Sequence, residues 1–245
     1  MKKEKKRLDQ AIQELHPALS RTHIQSLIMQ GKVTIDGKMI SKPGTQITDD
    51  AKIKIDLEEP KYVSRAGFKL EKALDHFNID VTNLTVLDAG LSTGGFTDCL
   101  LQRGAKKIYG VDVGYGQVHE KISTNSRVIV MERTNLRHLG PLPEKIDLIT
   151  LDLSFISVLK VMDVIHNILK ENGQLIVLIK PQFEAEKGQV GRGGIIKNPK
   201  LHQEIIDKVV KGIEQHDFIC QGVIESPIEG ATGNKEFLAY FIRTK

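Results

Sequence analysis

Four charged residues, far apart in the chain, fall where their side chains could act on one substrate. Lys69 lies in a predicted helix, and Asp152 and Lys180 each follow a short apolar run that predicts a strand. Glu236 begins the last strand-like run, after a glycine-rich stretch. Taken singly, each could be a helix cap, a solvated lysine or an edge-strand charge. Charges of alternating sign at the ends of four separate elements indicate instead a shared site, in which a lysine held beside another cation can act as a base.

The elements that must position these residues alternate between strand and helix. Strands are predicted over residues 85–87, 107–113, 127–131, 145–152, 174–179, 218–225 and 236–242. Helices are predicted over residues 64–77, 97–103, 157–171 and 199–216. This alternation predicts an α/β fold, a mostly parallel sheet with helices on both faces, whose ligand crevice lies beyond the carboxyl ends of the strands.

A glycine-rich loop follows the first of these strands. Its spacing is Asp-x-Gly-x-x-x-Gly-Gly, from Asp88 through Gly90 to Gly94 and Gly95, and it ends at the N-terminus of a helix. This differs from the Gly-x-Gly-x-x-Gly of dinucleotide enzymes, and the leading carboxylate suits a ligand with an ammonium or sulfonium charge. Asp112 follows at close to the roughly 20-residue spacing of an acid that holds ribose hydroxyls. S-adenosylmethionine meets both requirements, and a glycine-rich turn without a ligand is the alternative.

The composition limits the classes of protein to which this chain can belong. The 245 residues are 40% apolar and 27% charged, and no apolar run approaches the roughly 20 residues that span a bilayer. The basic N-terminus is not followed by the apolar segment of a secretory signal. Cys99 and Cys220 are too few and too distant to support a disulfide framework or a zinc site, so we expect a cytoplasmic protein without a metal. The net charge of +4 permits an acidic partner such as RNA without demanding one.

The N-terminal segment is predicted to be a small α+β domain of its own. Two helical runs with apolar spacing precede short β-type runs at residues 33–35, 39–40 and 51–57, with turns between them. Pro60 prevents either a strand or a helix from continuing. We therefore expect domains at residues 1–59 and 60–245, joined by a linker at about 57–61.

This first domain resembles the S4 RNA-binding domain. The resemblance rests on Arg7-Leu8-Asp9, Ser20-Arg21, Gln25–Ile28, Gly31-Lys-Val-Thr-Ile-Asp-Gly37 and Lys42-Pro43-Gly44. It implies phosphate contacts, which give affinity without sequence readout, from Arg7, Arg21, Lys32, Lys38 and Lys42; Arg65 of the second domain joins this predicted RNA-binding set. Because residues 1–60 hold no aromatic side chain for base stacking, a folded RNA surface is favoured over a single strand. The alternative is that these charged side chains only keep a small domain soluble and contact no RNA.

The set Lys69, Asp152, Lys180 and Glu236 resembles the Lys-Asp-Lys-Glu tetrad of RNA 2′-O-methyltransferases of the FtsJ type. Nearly the whole chain is similar to the TlyA family, whose members are named both as haemolysins and as ribosomal RNA 2′-O-methyltransferases. Its most specific segments are Tyr62-Val-Ser-Arg-Ala-Gly-Phe-Lys69, the glycine loop, Asp152-Leu-Ser-Phe-Ile-Ser157, Lys180-Pro-Gln-Phe-Glu184 and Gly191-Arg-Gly-Gly194. The resemblance implies a Rossmann-like S-adenosylmethionine methyltransferase sheet behind the S4 domain.

The implied activity is methylation of a ribose 2′-hydroxyl in ribosomal RNA, with ribosomal RNA or ribosomal subunits as partners. A ribose hydroxyl is a poor nucleophile, so the enzyme must deprotonate and align it. Lys180 is the expected general base, Lys69 would hold the hydroxyl or its phosphate, and the two acids would orient the lysines. The residues expected to bind S-adenosylmethionine are Asp88, Gly90, Ser92, Thr93, Gly94, Gly95, Phe96, Asp112 and, by resemblance to the adenine-edge segment, Asn135.

Other functions remain open at this level. A non-catalytic RNA-binding factor with an unused nucleotide fold is one alternative, and a membrane-active haemolysin is another, although no apolar run supports it. The glycine spacing disfavours a nicotinamide-dependent dehydrogenase, and the methyltransferase-type βα unit disfavours a pseudouridine synthase with an S4 module. The modified nucleotide, the ribosomal subunit and the oligomeric state are left open.

Overall fold

The computed structural model describes residues 5–29, 31–57, 60–186, 188–230 and 232–244, so residues 58 and 59 of the predicted linker lie outside the described residues. The chain divides into two compact units, Met1–Pro60 and Lys61–Lys245. Each unit has a hydrophobic core of its own.

The N-terminal unit packs two helices against short antiparallel strands. The helices are α1 (Leu8–Leu15) and α2 (Arg21–Met29), and the strands are β1 (Lys5–Arg7), β2 (Val33–Ile35), β3 (Lys38–Met39), β4 (Gln46–Thr48) and β5 (Ile53–Ile55). β1 pairs with β4, and the other three strands have the order β3-β2-β5. Leu8, Ile12, Ile24 and Ile28 form the fully buried helix contact. The sequence did not predict β1 and β4, since a three-residue strand is too short to show alternation.

The second unit is built on a seven-stranded sheet. Its strands are β6 (Thr85–Ala89), β7 (Lys107–Val111), β8 (Val128–Met131), β9 (Ile146–Leu151), β10 (Leu169–Ile179), β11 (Phe218–Glu225) and β12 (Phe237–Arg243). Their order is β11-β12-β10-β9-β6-β7-β8, and β12 runs antiparallel to both of its neighbours while the remaining pairs are parallel. The predicted α/β fold with a mostly parallel, Rossmann-like sheet is confirmed.

Helices cover both faces of this sheet, as the hydrophobic pattern predicts. They are α3 (Ala66–His76), α4 (Gly95–Gln102), α5 (Glu120–Ser123), α6 (Met162–Ile168), α7 (Pro181–Glu184) and α8 (Pro199–Glu214), with short 3₁₀ helices at Leu136–His138, Val158–Val161 and Arg192–Gly194. Neighbouring residues of one strand, such as Val86 and Leu87, belong to different core clusters. The central strands are apolar at consecutive positions because both faces are buried.

One predicted helix is shorter than expected. The sequence predicts a helix over 157–171, but α6 ends at Ile168 and β10 already begins at Leu169. Leu169 pairs with Ile146 of β9, and the Arg243 guanidinium donates to the Leu169 carbonyl oxygen at 2.5 Å. These long-range contacts, followed by a bulge before Gln174, override the local helical preference.

The sheet order reverses at β6, which lies between β7 and β9. A ligand crevice is expected outside the carboxyl ends of strands at such a point. Here the loops after β6 and β9 touch: the Asp152 N–H donates to the Ala89 carbonyl at 2.9 Å, and a Cβ atom on Gly90 would overlap the Asp152 carbonyl oxygen. Gly90 also has φ +90°, a conformation that side-chain-bearing residues rarely adopt.

A buried carboxylate braces the same junction. Asp88 is 0% exposed, and its two oxygens accept hydrogen bonds from the hydroxyls of Thr97 in α4, at 2.7 Å, and Thr150 in β9, at 2.9 Å. Burial raises the pKa of Asp88 to about 6, although both hydroxyls favour the charged form. Asp88 therefore connects β6, α4 and β9 from inside the protein.

We predict that Gly90→Ala destabilises the second unit by at least about 3 kcal/mol, because the new methyl group meets backbone and the φ angle is strained. Gly116→Ala is the matched control, since Gly116 has φ +70° but no described atom would lie within 4 Å of a Cβ there. It should show only the roughly 1–2 kcal/mol of the left-handed backbone. Urea unfolding measures both values, and equal losses would show that the loops do not depend on this close approach.

We also predict that Asp88 makes stability depend on pH. Its folded pKa of about 6 exceeds the roughly 3.9 of an unfolded aspartate, so its contribution is full below about pH 4 and is lost as the pH rises through 6. Urea unfolding of the wild type and Asp88→Asn should show their stability difference shifting by roughly 2–3 kcal/mol against the wild type between pH 4 and 7.5. Other titrating groups cancel in this difference. A difference that stays constant over this range contradicts the assignment.

Candidate active site

A cavity of about 380 Å³ opens at the carboxyl edge of the sheet, where the loops after β6, β7, β8 and β9 meet. Four of the residues predicted to bind a cofactor line it: Gly90, Ser92, Asp112 and Asn135. The remaining lining residues are Val111, Val113, Gly114, Gln117, Thr134, Leu136, Asp152, Leu153, Ser154, Phe155, Ile156 and Val161. The volume lies within the range of small-molecule sites.

The polar groups of this cavity suit a nucleoside. The Asp112 carboxylate is held by two backbone N–H groups, those of Ser92 and Gly114, each at 2.7 Å. It can thus accept hydrogen bonds from a pair of ribose hydroxyls without reorganising. Asn135 accepts the Arg137 N–H at 3.1 Å through its side-chain oxygen, and its amide nitrogen remains as a donor. Apolar side chains such as Leu136 and Ile156 offer surfaces for a flat base.

Five other predicted cofactor residues do not line the cavity, because each has other contacts. Asp88 lies beneath the loop with both oxygens engaged. Thr93 accepts the His119 N–H through its carbonyl, and a Cβ on Gly94 would meet Ile122. A Cβ on Gly95 would overlap Ser64, and Phe96 is buried in the core. Gly94 and Gly95 thus allow the loop to pack closely against neighbouring elements.

A second cavity, of about 450 Å³, adjoins the first. Its lining includes three of the four charged residues singled out in the sequence, namely Lys69, Lys180 and Glu236, together with Arg65 at an exposed position. Further lining residues are Ser154, Phe155, Gln182, Phe183, Val190, Gly194, Gly230 and Thr232. Ser154 and Phe155 line both cavities, so the two cavities meet at these residues.

The four charged residues form two ion pairs at this junction. Lys180 Nζ lies 2.7 Å from Asp152 Oδ1, which belongs to the first cavity, and donates to Ser154 Oγ at 2.9 Å. Lys69 Nζ lies 2.5 Å from Glu236 Oε2. Lys69 is only 7% exposed and Glu236 only 3%, so this pair is the more buried of the two. Both lysines line the second cavity, whereas Asp152 lines the first, so the Asp152–Lys180 pair spans the boundary.

Close packing positions the Lys69–Glu236 pair. Lys69 lies on the buried face of α3, whose Gly67 packs against the Tyr62 ring so closely that a Cβ there would overlap it. Glu236 lies directly before β12, and a Cβ atom on Gly230 would lie 2.6 Å from its Oε1. Gly230 therefore leaves just enough room for the carboxylate that Lys69 contacts.

Sequence reasoning missed the importance of Phe155. This side chain is 90% exposed, its backbone has φ +65°, and its ring centroid lies 5.1 Å from that of Phe183. A large exposed aromatic residue in a strained conformation at a cavity is a candidate functional position. The segment Asp152–Ser157 was singled out in the sequence as a family resemblance, but no role was assigned to its aromatic residue.

In the N-terminal unit, two of the predicted phosphate contacts already have an acidic partner. Arg7 donates twice to the buried carboxylate of Asp9, at 2.9 Å each, and Arg21 and Gln25 donate to it at 3.3 and 3.1 Å. The Arg7 guanidinium holds the pKa of Asp9 well below its usual range. These arginines therefore organise the unit, while 41% and 59% of their side-chain surfaces stay accessible.

The other predicted RNA contacts of this unit differ in exposure. Lys38 and Lys42 are exposed, and Lys32 is half-buried. Within the described ranges, no helix combines the length and the apolar content that crossing a bilayer requires. The same residues include no cluster of three or more His, Cys, Asp or Glu side chains placed to hold a metal ion.

Comparisons with known proteins identify the families of both domains. Residues 62–243 match the FtsJ-like methyltransferase family and residues 6–53 match the S4 domain. The chain is 40% identical to the 16S/23S rRNA (cytidine-2′-O)-methyltransferase TlyA of Mycobacterium tuberculosis over 93% of this chain and 86% of that protein. It is 41% identical to Hemolysin A of Brachyspira hyodysenteriae over 96% of this chain and 99% of that protein.

A solved structure extends the likeness to three dimensions. A Streptococcus thermophilus protein provisionally named a hemolysin is 37% identical, with a TM-score of 0.77 over 98% of this chain and 89% of that one. The family resemblance expected from the sequence is thus confirmed. The chain belongs to the FtsJ-like methyltransferases and, within them, to the TlyA family, and it carries an S4 domain before the methyltransferase domain.

Proposed function

We propose that this methyltransferase transfers the methyl group of S-adenosylmethionine to a ribose 2′-hydroxyl in ribosomal RNA. The observation that carries the proposal is the pair of lysine–carboxylate contacts at the junction of two adjoining cavities. One cavity suits the cosubstrate and the other suits the hydroxyl, and the groups that could move a proton lie between them.

The residues of the first cavity fit S-adenosylmethionine. Asp112 would hold the ribose hydroxyls, and Asn135 would contact the adenine edge. Bound there, the cosubstrate supplies an already activated methyl group. The protein's own task is therefore to orient and deprotonate the acceptor hydroxyl.

Lys180 is the proposed general base. Its Nζ lies at the boundary of the cavities, where Asp152 and Ser154 fix its direction from two sides. Lys69 donates one hydrogen bond to Glu236. Its remaining N–H groups would hold the acceptor hydroxyl or the adjacent phosphate. Holding the oxygen in line with the methyl group supplies several kcal/mol of the barrier reduction.

The second cavity supports a nucleotide as the acceptor. Phe155 offers an exposed ring next to Lys180, and enzymes that act on a nucleotide commonly stack its base on an aromatic side chain once it has left the helix. Arg65 adds an exposed cation for the backbone. Ribosomal RNA as the substrate is supported by the relative named as a 16S/23S rRNA methyltransferase and by the S4 domain match.

We predict that Lys180→Ala binds S-adenosylmethionine normally but transfers its methyl group to ribosomal RNA about 10²–10⁴-fold more slowly, the range that a general base contributes. The assay follows labelled methyl transfer to isolated ribosomal subunits and locates the modified ribose by mass spectrometry. Isothermal titration measures cosubstrate affinity separately.

Lys170→Ala is the matched control for this variant. Lys170 lies near the other end of β10 and makes a similar ion pair, 2.6 Å from Asp147, at the opposite edge of the sheet. Its loss should leave transfer unchanged. Transfer by Lys180→Ala at the wild-type rate would remove Lys180 from the role of base, and absence of transfer by the wild type would favour a non-catalytic RNA-binding factor.

We predict that Gly230→Ala lowers kcat about 10–100-fold while cosubstrate affinity changes little. The added methyl group would lie 2.6 Å from Glu236 Oε1 and must displace a carboxylate that is almost fully buried and paired with Lys69. A displacement of about 1 Å at a catalytic group can reduce the rate 10²-fold. Steady-state kinetics with Gly140→Ala as control tests this, since no described atom lies within 4 Å of a Cβ there. An unchanged kcat would separate Glu236 from the reaction.

A further inference from the structure

Two chain segments at the carboxyl edge of the sheet contact each other at three points. Residues 152–158 follow β9 and residues 180–184 follow β10. Lys180 donates to Ser154, the Phe183 ring packs on that of Phe155, and the Glu184 side chain accepts a hydrogen bond from the Val158 N–H at 2.8 Å. The first two contacts involve groups of the proposed active site, whereas Glu184 has no part in it.

Glu184 is a buried acid, and one of its two carboxyl oxygens has no geometrically defined hydrogen bond. It is only 4% exposed, and Oε1 accepts from Val158, while Oε2 is buried without a hydrogen-bond partner among the described residues. Burial raises the pKa of Glu184, although Ser157 and the Val158 N–H favour the charged form.

The loop that Glu184 contacts includes the strained Phe155. A bulky residue at φ +65° is strained and persists only where its surroundings fix the chain. Lys180 holds Ser154, one residue before Phe155, and Glu184 holds Val158, three residues after it. Loss of the Glu184 contact would remove one of the two polar side-chain contacts that flank Phe155.

We propose that Glu184 is a positioning residue that keeps Phe155 and the Lys180–Asp152 pair in their active arrangement by holding the Val158 backbone. The proposal rests on the proposed function, because it assigns Glu184 a role in that reaction. Glu184 acts through an uncharged or charged acceptor oxygen alike, so what it must retain is the hydrogen bond and not the charge. If Glu184 only stabilised the 3₁₀ helix Val158–Val161, its loss would lower stability without a selective loss of turnover.

Three variants separate these roles. Glu184→Ala removes the acceptor, and Glu184→Gln keeps an acceptor oxygen but cannot carry a negative charge. Asp147→Ala is the matched control, because the Asp147 carboxylate also accepts a backbone N–H at 2.8 Å, from Thr85, at the far edge of the sheet. Each is compared with the wild type for methyl transfer to ribosomal subunits, cosubstrate affinity and amide hydrogen exchange over residues 153–160.

We expect Glu184→Ala to lower kcat at least tenfold with the Kd for S-adenosylmethionine within threefold of the wild type, and to exchange at least tenfold faster over residues 153–160. Glu184→Gln should stay within threefold of the wild type in both measurements, and Asp147→Ala should change neither. A kcat of Glu184→Ala no lower than that of Asp147→Ala overturns the proposal, and so does a Glu184→Gln as impaired as Glu184→Ala.

Hydrogen exchange is measured without RNA and does not depend on turnover. Unaltered exchange over residues 153–160 in Glu184→Ala therefore overturns the proposal whatever the substrate is. Failure of the wild type to methylate ribosomal RNA overturns the proposed function instead, and the two failures are distinguishable.

Discussion

The active edge of this protein depends on the close contact between the loops after β6 and β9. Gly90 has no Cβ, so its backbone can lie directly against the Asp152 carbonyl, and the Asp152 N–H extends the sheet by one more hydrogen bond to Ala89. This contact directs the Asp152 side chain to the boundary between the two cavities. The position of the Lys180 side chain depends on this contact in turn, because its Nζ lies 2.7 Å from Asp152 Oδ1. The backbone contact between the two loops therefore determines where the Asp152–Lys180 ion pair lies.

The acidic residues of the second unit divide into two groups by their surroundings. Asp112 and Asp152 face cavities and retain oxygens that a ligand or a lysine can use. Asp88 and Glu184 are buried, and burial raises the pKa of each. Each accepts hydrogen bonds from inside the protein, Asp88 from the hydroxyls of Thr97 and Thr150 and Glu184 from the Val158 N–H, so both connect elements and do not face a ligand.

The sequence was a good guide wherever a local pattern had a single structural solution. Apolar runs that alternate with helical patterns predicted the sheet, and the polar residues at strand ends predicted the edge at which Lys69, Asp152, Lys180 and Glu236 meet. The sequence was a poor guide where contacts between residues distant in the chain determine the local structure. The local sequence predicts a helix at Leu169, but pairing with β9 places this residue in a strand. Gly95 resembles a ligand-binding glycine, but a Cβ atom there would overlap Ser64. Phe155 was missed because its exposure and its positive φ exist only in the folded chain.

The charges of the site also bear on the proposed binding of RNA. Two lysines and two carboxylates sum to zero, so the paired residues do not by themselves attract a polyanion. The same argument applies in the N-terminal unit, where Asp9 offsets one of the two charges of Arg7 and Arg21 and leaves a net charge of +1 at that cluster. Attraction to phosphates must then depend on exposed cations outside these networks, such as Lys38, Lys42 and Arg65.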